Sequence, residues 1–391
     1  MISHLRSLCL LVPLFLISCS SEKSDSTHYR KKLEAPSGYG LLYETGNWEH
    51  PDYAKPFESF GNQRIVVEIS DSSGRNTEVT IPWRRSDSNP QAKDLIVVDA
   101  STNQIVEKRY ILEVGNESGH LIFQPNPNSS RYYIYFLPHH STGSYYPKLQ
   151  YNQPTFCPDK KWVAEVEAGL KASDRLPKAK VIAFESIDDF NSFFPMEVIA
   201  AKEEVARYTA RNPSDFYLFP EYRDYPVRMK DDLPQRWVND SVQVNGLTDT
   251  ALLGEYFTFQ VALFSPDHHL QDVIVDLFDF EQRNGNSISK NYLTCFNLGG
   301  IDLNGKPFSK RVDVPAGKVQ PLWFGLNVPE DAAAGTYQGR VVIQASGLLP
   351  DTVFIKLNVL PKEIADHGDG NPEKMSRLRW LNSTVGTDET G

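Results

Sequence analysis

The chain predicts a mainly β protein: two β-sandwich domains, the first jelly-roll or galactose-binding-like and the second immunoglobulin-like, with a small α-containing bridge between them. Three observations carry this. Short apolar runs recur at regular spacing between Gly, Pro, Asn and Ser clusters, as strands separated by tight turns require. Tyr, Phe, Pro and Gly are abundant (18, 21, 26 and 24 residues). The one long stretch of helical periodicity is confined to the middle of the chain.

The 391 residues carry 40 Lys and Arg against 50 Asp and Glu, a formal charge of −10. That balance excludes nucleic acid as an expected partner, since phosphates demand concentrated positive charge. Length allows two or three domains with separate cores.

At the N-terminus, Arg6 precedes an apolar run from Leu8 to Ile17. This run is too short to span a bilayer and suits a signal peptide over residues 1–18. It ends at Leu16-Ile-Ser-Cys19, a match to the bacterial lipobox, so Cys19 is the expected lipidation site and the membrane an expected partner through the acyl chains. Ser20, rather than Asp, points to an outer-membrane lipoprotein of the cell envelope. Residues 19–36 are polar without periodicity and read as a flexible tether.

The N-terminal sandwich is assigned to residues 37–154. Its strand candidates are Arg64–Ile69, Glu78–Ile81, Asp94–Asp99, Arg109–Val114, His120–Phe123 and Arg131–Leu137, and Asp71-Ser-Ser-Gly74 and Gly115-Asn-Glu-Ser-Gly119 supply turn chemistry. Tyr132 to Phe136 puts aromatics on both faces of one strand, read as core on one side and an interdomain contact on the other.

Residues 155–224 form the α/β bridge. Lys161–Leu170 has helical spacing with Trp162, Val163, Val166 and Leu170 near one face; Lys180–Phe184 reads as a strand. Ile187–Phe194, closed by Pro195, and Lys202–Ala210 are expected helices, the latter with Glu203 and Glu204 in its first turn. The acid pairs Asp188-Asp189 and Glu203-Glu204 read as solvated faces, because adjacent helical side chains diverge by about 100°.

The second sandwich covers residues 225–361. Leu252–Phe264 is expected as one long strand with apolar material on both faces, followed by Asp272–Leu277, Leu322–Val328, Gly339–Gln344 and Thr352–Val359. The connector Val328–Gly339, punctuated by Pro329 and Gly335, leads Tyr337 into the next strand in the manner of immunoglobulin-like modules. Residues 362–391 read as a linker ending in a strand at Leu378–Leu381, which opens a further domain.

No CxxC, HExxH or close Cys/His spacing appears, so neither a metal site nor a cofactor is expected. His139-His140 and His268-His269 read as loop residues. Cys157 and Cys295 are not expected to pair, since their spacing gives no reason to bring them together. Exposed aromatics at Trp48, Tyr53, Tyr145 and Tyr146 are the candidate carbohydrate contacts. Asp388-Glu389 stands in a polar terminus without surrounding sheet, and no catalytic residue is assigned.

Three phrases, Phe193-Phe-Pro-Met-Glu-Val-Ile-Ala200, Phe219-Pro-Glu-Tyr-Arg223 with Pro226-Val-Arg-Met229, and Leu378-Arg-Trp-Leu-Asn-Ser383, resemble the N-terminal region of glycoside hydrolase family 123-like proteins. The resemblance covers nearly all of the mature chain. It implies two β-sandwich modules preceding a (β/α)₈ catalytic barrel that this sequence lacks, in an exported lipoprotein used for glycan breakdown. It further implies a parent enzyme that cleaves β-linked N-acetylgalactosamine by substrate assistance, with an Asp orienting the acetamido group and the adjacent Glu as general acid. The expected function is therefore a non-catalytic accessory region of such a hydrolase. The alternatives are a stand-alone glycan-binding or scaffolding surface lipoprotein, and a hydrolase active as it stands.

Overall fold

The computed structural model describes residues 42–46, 48, 60–143, 145–146, 148–172, 175–238, 246–302 and 304–382. The leader, Cys19, Tyr53 and Asp388-Glu389 lie outside them.

Among the described residues, all six strand candidates of the first module form, because their alternation gives each an inward apolar face. Gln63–Glu68 pairs with Arg131–Tyr135, which pairs with Ile96–Asp99 and, beyond it, Gln104–Ile105. Thr77–Ile81, Gly119–Phe123 and Arg109–Val114 make a smaller sheet opposite. Ile65, Val67, Tyr132 and Ile134 from one sheet meet Val79, Ile81, Leu121 and Phe123 from the other in a single core. This is a β-sandwich.

The strand expected in the bridge forms at Lys180–Ser186 and lies within the first sheet. It pairs antiparallel with Gln63–Glu68 on one side and parallel with Leu42–Thr45 on the other. Phe184 enters the first core, which is why the strand belongs there. The helix Lys160–Lys171 also joins this module: Trp162 and Val166 pack on Ile122 of the smaller sheet. Asp159 caps it, its carboxylate accepting from the Trp162 amide at 3.0 Å.

The helix expected over Ile187–Phe194 does not form. The Asp188 carboxylate accepts from both the backbone N and the side-chain Nδ2 of Asn191, each at 2.8 Å. Such a local turn competes with helical bonding, and only a 3-10 turn at Pro195–Glu197 follows. Lys202–Arg211 is helical as expected. Its two acids part company: Glu203 faces solvent, whereas Glu204 turns inward, so the solvated reading holds for only one of them.

In the second sandwich, Tyr217–Tyr222, Tyr256–Phe264, Val319–Asn327 and Leu293–Cys295 form one sheet. The facing sheet runs Gly246–Leu253, Asp351–Glu363, Gly335–Gln344, Phe280–Glu281, Ser287–Ile288, with Ile274–Leu277 also paired to Gly335–Gln344. Every residue of Tyr256–Phe264 is buried. Phe257, Phe259, Val261 and Leu263 enter the sandwich core, while Ala262 and Phe264 join Met196, Tyr208, Phe219 and Trp237 beneath the bridge. The expected continuous strand from Leu252 breaks at Gly254, where φ is 72°, and at Glu255, whose carboxylate accepts from the Leu252 amide at 3.0 Å. Tyr337 is buried and donates its hydroxyl hydrogen to the Ala333 carbonyl at 2.8 Å. This is the tyrosine corner of immunoglobulin-like folds.

The strand expected at Leu378–Leu381 is instead a 3-10 segment, Ser376–Asn382, lying against the strands Tyr256–Phe264 and Val319–Asn327. It finds no strand edge there. The segment is held by Thr258 Oγ1 donating to the Lys374 carbonyl at 2.8 Å and by an Arg379–Asp369 ion pair at 2.7 Å. Cys157 and Cys295 are free thiols in different apolar clusters.

Candidate functional site

Trp48 lies on the outer face of the first sheet. The Arg64 guanidinium sits between the Trp48 and Tyr133 rings, 4.2 Å from the first centroid and 3.6 Å from the second. Its Nε donates to Glu185 at 2.6 Å and its Nη1 to the Tyr135 hydroxyl at 3.1 Å. Burial pushes the Tyr135 phenol up although Arg64 opposes the shift. Tyr135 meets Trp48 edge-on, and Phe60 completes the patch. The outward aromatics of Tyr132 to Phe136 thus cover their own domain. One face of Trp48 is occupied by a cation already satisfied elsewhere.

Tyr145 and Tyr146 differ sharply. They stand at the tip of the hairpin His139–Thr142/Lys148–Tyr151, 84% and 80% exposed, with ring centroids 5.0 Å apart and nearly perpendicular. Exposed rings of this kind can stack on the apolar face of a sugar. His139 and His140 belong to the hairpin rather than to a loop; His139 is buried with Nδ1 at 2.9 Å from the Leu137 carbonyl.

The buried acids serve as braces. Glu255, wholly buried, holds Arg223 at 2.6 Å and Lys374 at 2.9 Å, fastening the chain after the second sandwich to its core. Glu221, also buried, meets Arg236 at 2.6 Å; desolvation lifts its carboxyl above the usual range against that opposing charge. Glu204 takes both Nη1 and Nη2 of Arg84, at 2.6 and 2.8 Å, and accepts from the Ala201 amide at 2.9 Å. This arrangement ties the bridge helix to the first module, alongside the bridge between Arg85 and Val198. Both the two-carboxylate and the substrate-assisted routes to glycosidic hydrolysis need an acid that faces an open cleft where the sugar can sit. Glu221 and Glu255 face cations instead.

Residues 55–187 match the family model described as the glycoside hydrolase 123 N-terminal domain, and residues 302–345 match a second model of the same description. The chain carries a glycoside hydrolase 123-like N-terminal region. The first match ends one residue after the strand Lys180–Ser186 that closes the first sheet; the second lies on the second sandwich. No curated protein matches the chain. Among solved structures, a family 123 glycoside hydrolase from Clostridium perfringens is 18% identical with a TM-score of 0.29, covering 38% of this chain and 28% of the enzyme. The chain thus spans under a third of that enzyme's length. A PapD-like domain of human CEP192 is 10% identical over 39% of this chain and 89% of its own, at a TM-score of 0.22. The MyfA fimbrial subunit of Yersinia enterocolitica is 17% identical over 31% and 94%, at 0.20.

The second sandwich also contains a groove that sequence reasoning missed. A cavity of about 990 Å³ opens on the outer face of the second sandwich, between the hairpin Phe280–Glu281/Ser287–Ile288 and the strands Gly335–Gln344 and Asp351–Glu363. Its floor, from Gly335 to Arg340, falls inside the second family match. Within Asp351–Glu363, Val353, Ile355, Leu357 and Val359 point inward while Phe354 and Lys356 point outward. An aromatic at an outward position of a clean alternation was the available signal.

Proposed function

We propose that this chain is the non-catalytic N-terminal accessory part of a family 123-like glycoside hydrolase, with a parent activity of the β-N-acetylgalactosaminidase kind. The observation that carries this is the pair of family matches, one on each sandwich. The braced joint between the modules suits a support for a further domain: Arg84–Glu204 on one side, the Phe219–Trp237 stack at 4.7 Å on the other. In such a parent the Asp-Glu pair would reside in the barrel, and the sandwiches would hold that barrel relative to membrane and substrate. The test is release of aryl alcohol from an aryl β-N-acetylgalactosaminide by this chain and by any longer polypeptide that contains it. Release by the longer protein only is expected; release by this chain alone would overturn the reading.

We further infer export and acylation at Cys19, on the lipobox-like Leu16-Ile-Ser-Cys19. Radiolabelled palmitate should enter the native protein and not the Cys19→Ala variant. Equal labelling of both would sink this part.

A second reading, a stand-alone glycan-binding lipoprotein, is favoured by the bare rings of Tyr145 and Tyr146. Retardation by neutral polysaccharides in affinity electrophoresis, lost on Tyr145→Ala/Tyr146→Ala, would support it.

A further inference from the structure

We propose that the groove on the second sandwich binds an acidic saccharide, one bearing carboxylate or sulfate groups. Assigning the anion to a saccharide rests on the glycan-degrading reading above; the charge and shape of the groove do not depend on it.

Four cations line it, Arg283, Lys290, Arg340 and Lys356, against two acids, Asp279 and Glu281. The groove is therefore locally positive in a chain of formal charge −10. None of the four cations makes an ion pair among the described residues, whereas Arg64, Arg84, Arg223 and Arg236 are each matched to a carboxylate. Unmatched guanidinium and ammonium groups lining one concavity offer charge-assisted hydrogen bonds to an incoming anion.

The donors are also arranged in advance. Arg340 lies over the Phe278 ring, 4.2 Å from its centroid, so its plane is fixed while its donors stay available. Arg340 is directly opposite Phe354 across the strand pair, and Gln338 is opposite Lys356. The two strands thus present a grid on one outward face: cation beside aromatic ring, amide beside cation. Phe354 is 57% exposed, an apolar surface of the kind on which a pyranose ring stacks. Gln338 and Thr336 add neutral partners for hydroxyl groups.

The rim is stiff. Gln282 is buried, donates from Nε2 to the Ala333 carbonyl at 3.1 Å and accepts from Asn286 Nδ2 at 3.0 Å, which ties the loop bearing Arg283 to the floor. This close approach needs glycine at 335: a Cβ there would stand 2.9 Å from the Gln282 Nε2, and φ is +136°. The Lys290 amide donates to Asp279 at 2.7 Å, fixing the other end of the hairpin. A preformed concavity of this size, lined mostly by polar and charged side chains and walled on one side by Phe354, fits a small polar ligand or a segment of a longer polymer.

Nucleic acid is the other polyanion to consider. The excess of acidic residues over the rest of the chain opposes an extended phosphate backbone but not a short saccharide held within the groove.

The test is isothermal titration calorimetry of the detergent-solubilised full chain with oligogalacturonate, chondroitin sulfate oligosaccharide, neutral galacto-oligosaccharide and a single-stranded DNA oligonucleotide. Binding of either acidic saccharide, weakened by added salt, with none of the neutral one, is expected. Arg340→Ala/Lys356→Ala should lower that affinity by about tenfold or more. Phe354→Ala should weaken binding while leaving its salt dependence in place. Thermal melts of both variants should superimpose on that of the parent, since all three side chains face solvent. Failure to bind either acidic saccharide, equal binding of the neutral sugar or the DNA, or undiminished affinity in the double variant would overturn the proposal. None of these outcomes touches the family reading, which stands or falls on aryl glycoside release by the longer polypeptide.

Discussion

Arg64 on the first sandwich and Arg340 on the second make the same contact: each guanidinium lies 4.2 Å from the centroid of an aromatic ring, Trp48 in one case and Phe278 in the other. Their remaining donors have opposite fates. Arg64 is buried and bonded to Glu185 and Tyr135, so its charge is consumed within the fold. Arg340 is exposed and has no carboxylate partner among the described residues. A cation–π contact by itself therefore says nothing about function; what distinguishes the two is where the other N–H groups point.

Removing each arginine in turn should separate their roles. Arg64→Ala strands the half-buried Glu185 and unstacks Trp48 and Tyr133, and should cost about 3 kcal/mol, as loss of one member of a buried pair does. Urea denaturation followed by tryptophan fluorescence will read it, and a loss under about 1 kcal/mol would mean the cluster is no brace. Glu204→Ala comes next, at about 2 kcal/mol: it removes the partner of Arg84 and an N-terminal helix contact, discounted because Glu204 is partly solvent-exposed. Arg340→Ala should stay within about 0.5 kcal/mol of the parent, as expected of a surface position. A larger loss would show that Arg340 also braces its domain.

Acid provides a graded version of the same contrast. Burial alone would raise the Asp87 and Glu204 carboxyls, but Arg85 and Lys93 around the first, and Arg84 with the Ala201 amide around the second, outweigh it and leave both lowered. A lowered folded value means stability that is fully present above the unfolded carboxylate range of about 4 and lost as pH falls through the folded value. The contribution of these two groups to the denaturation midpoint should therefore hold steady from neutral pH to the ordinary carboxylate range and drop below it. Glu204→Gln should flatten the drop; an unchanged pH profile would remove Glu204 from the set of linked groups.

Much of the fold was legible because its signals are local. The six strands of the first module, the helix after Lys202 and the entry of Tyr337 into its strand follow from period-2 or period-3.6 patterning and from turn residues. The failures share a different cause. Ile187–Phe194 looked helical until the Asp188 side chain captured Asn191, and Leu252–Phe264 looked continuous until Glu255 turned inward to meet Arg223, 32 residues before it, and Lys374, 119 residues after it. The terminal strand read at Leu378–Leu381 had the composition but no neighbouring edge to pair with. Candidate contacts divided the same way. Exposure of Tyr145 and Tyr146 follows from their place at a turn, while the fate of Trp48 depends on Arg64, a strand away. The groove escaped notice because its cations come from separate elements that only the sheet brings together.

The position of Lys180–Ser186, between Leu42–Thr45 and Gln63–Glu68, has a consequence for how the protein is made. The ion pair Arg64–Glu185 alone closes a span of 121 residues. A nascent chain that stops short of Lys180 holds five strands of that sheet with a gap where the sixth belongs, so that Leu42–Thr45 has no partner and one edge of Gln63–Glu68 has its amide and carbonyl row unsatisfied and open to neighbours. Assembly of the first sandwich must wait for its last strand, so synthesis or transport that stalls before Ser186 should yield a species that aggregates, whereas a stall after it should leave a folded first half.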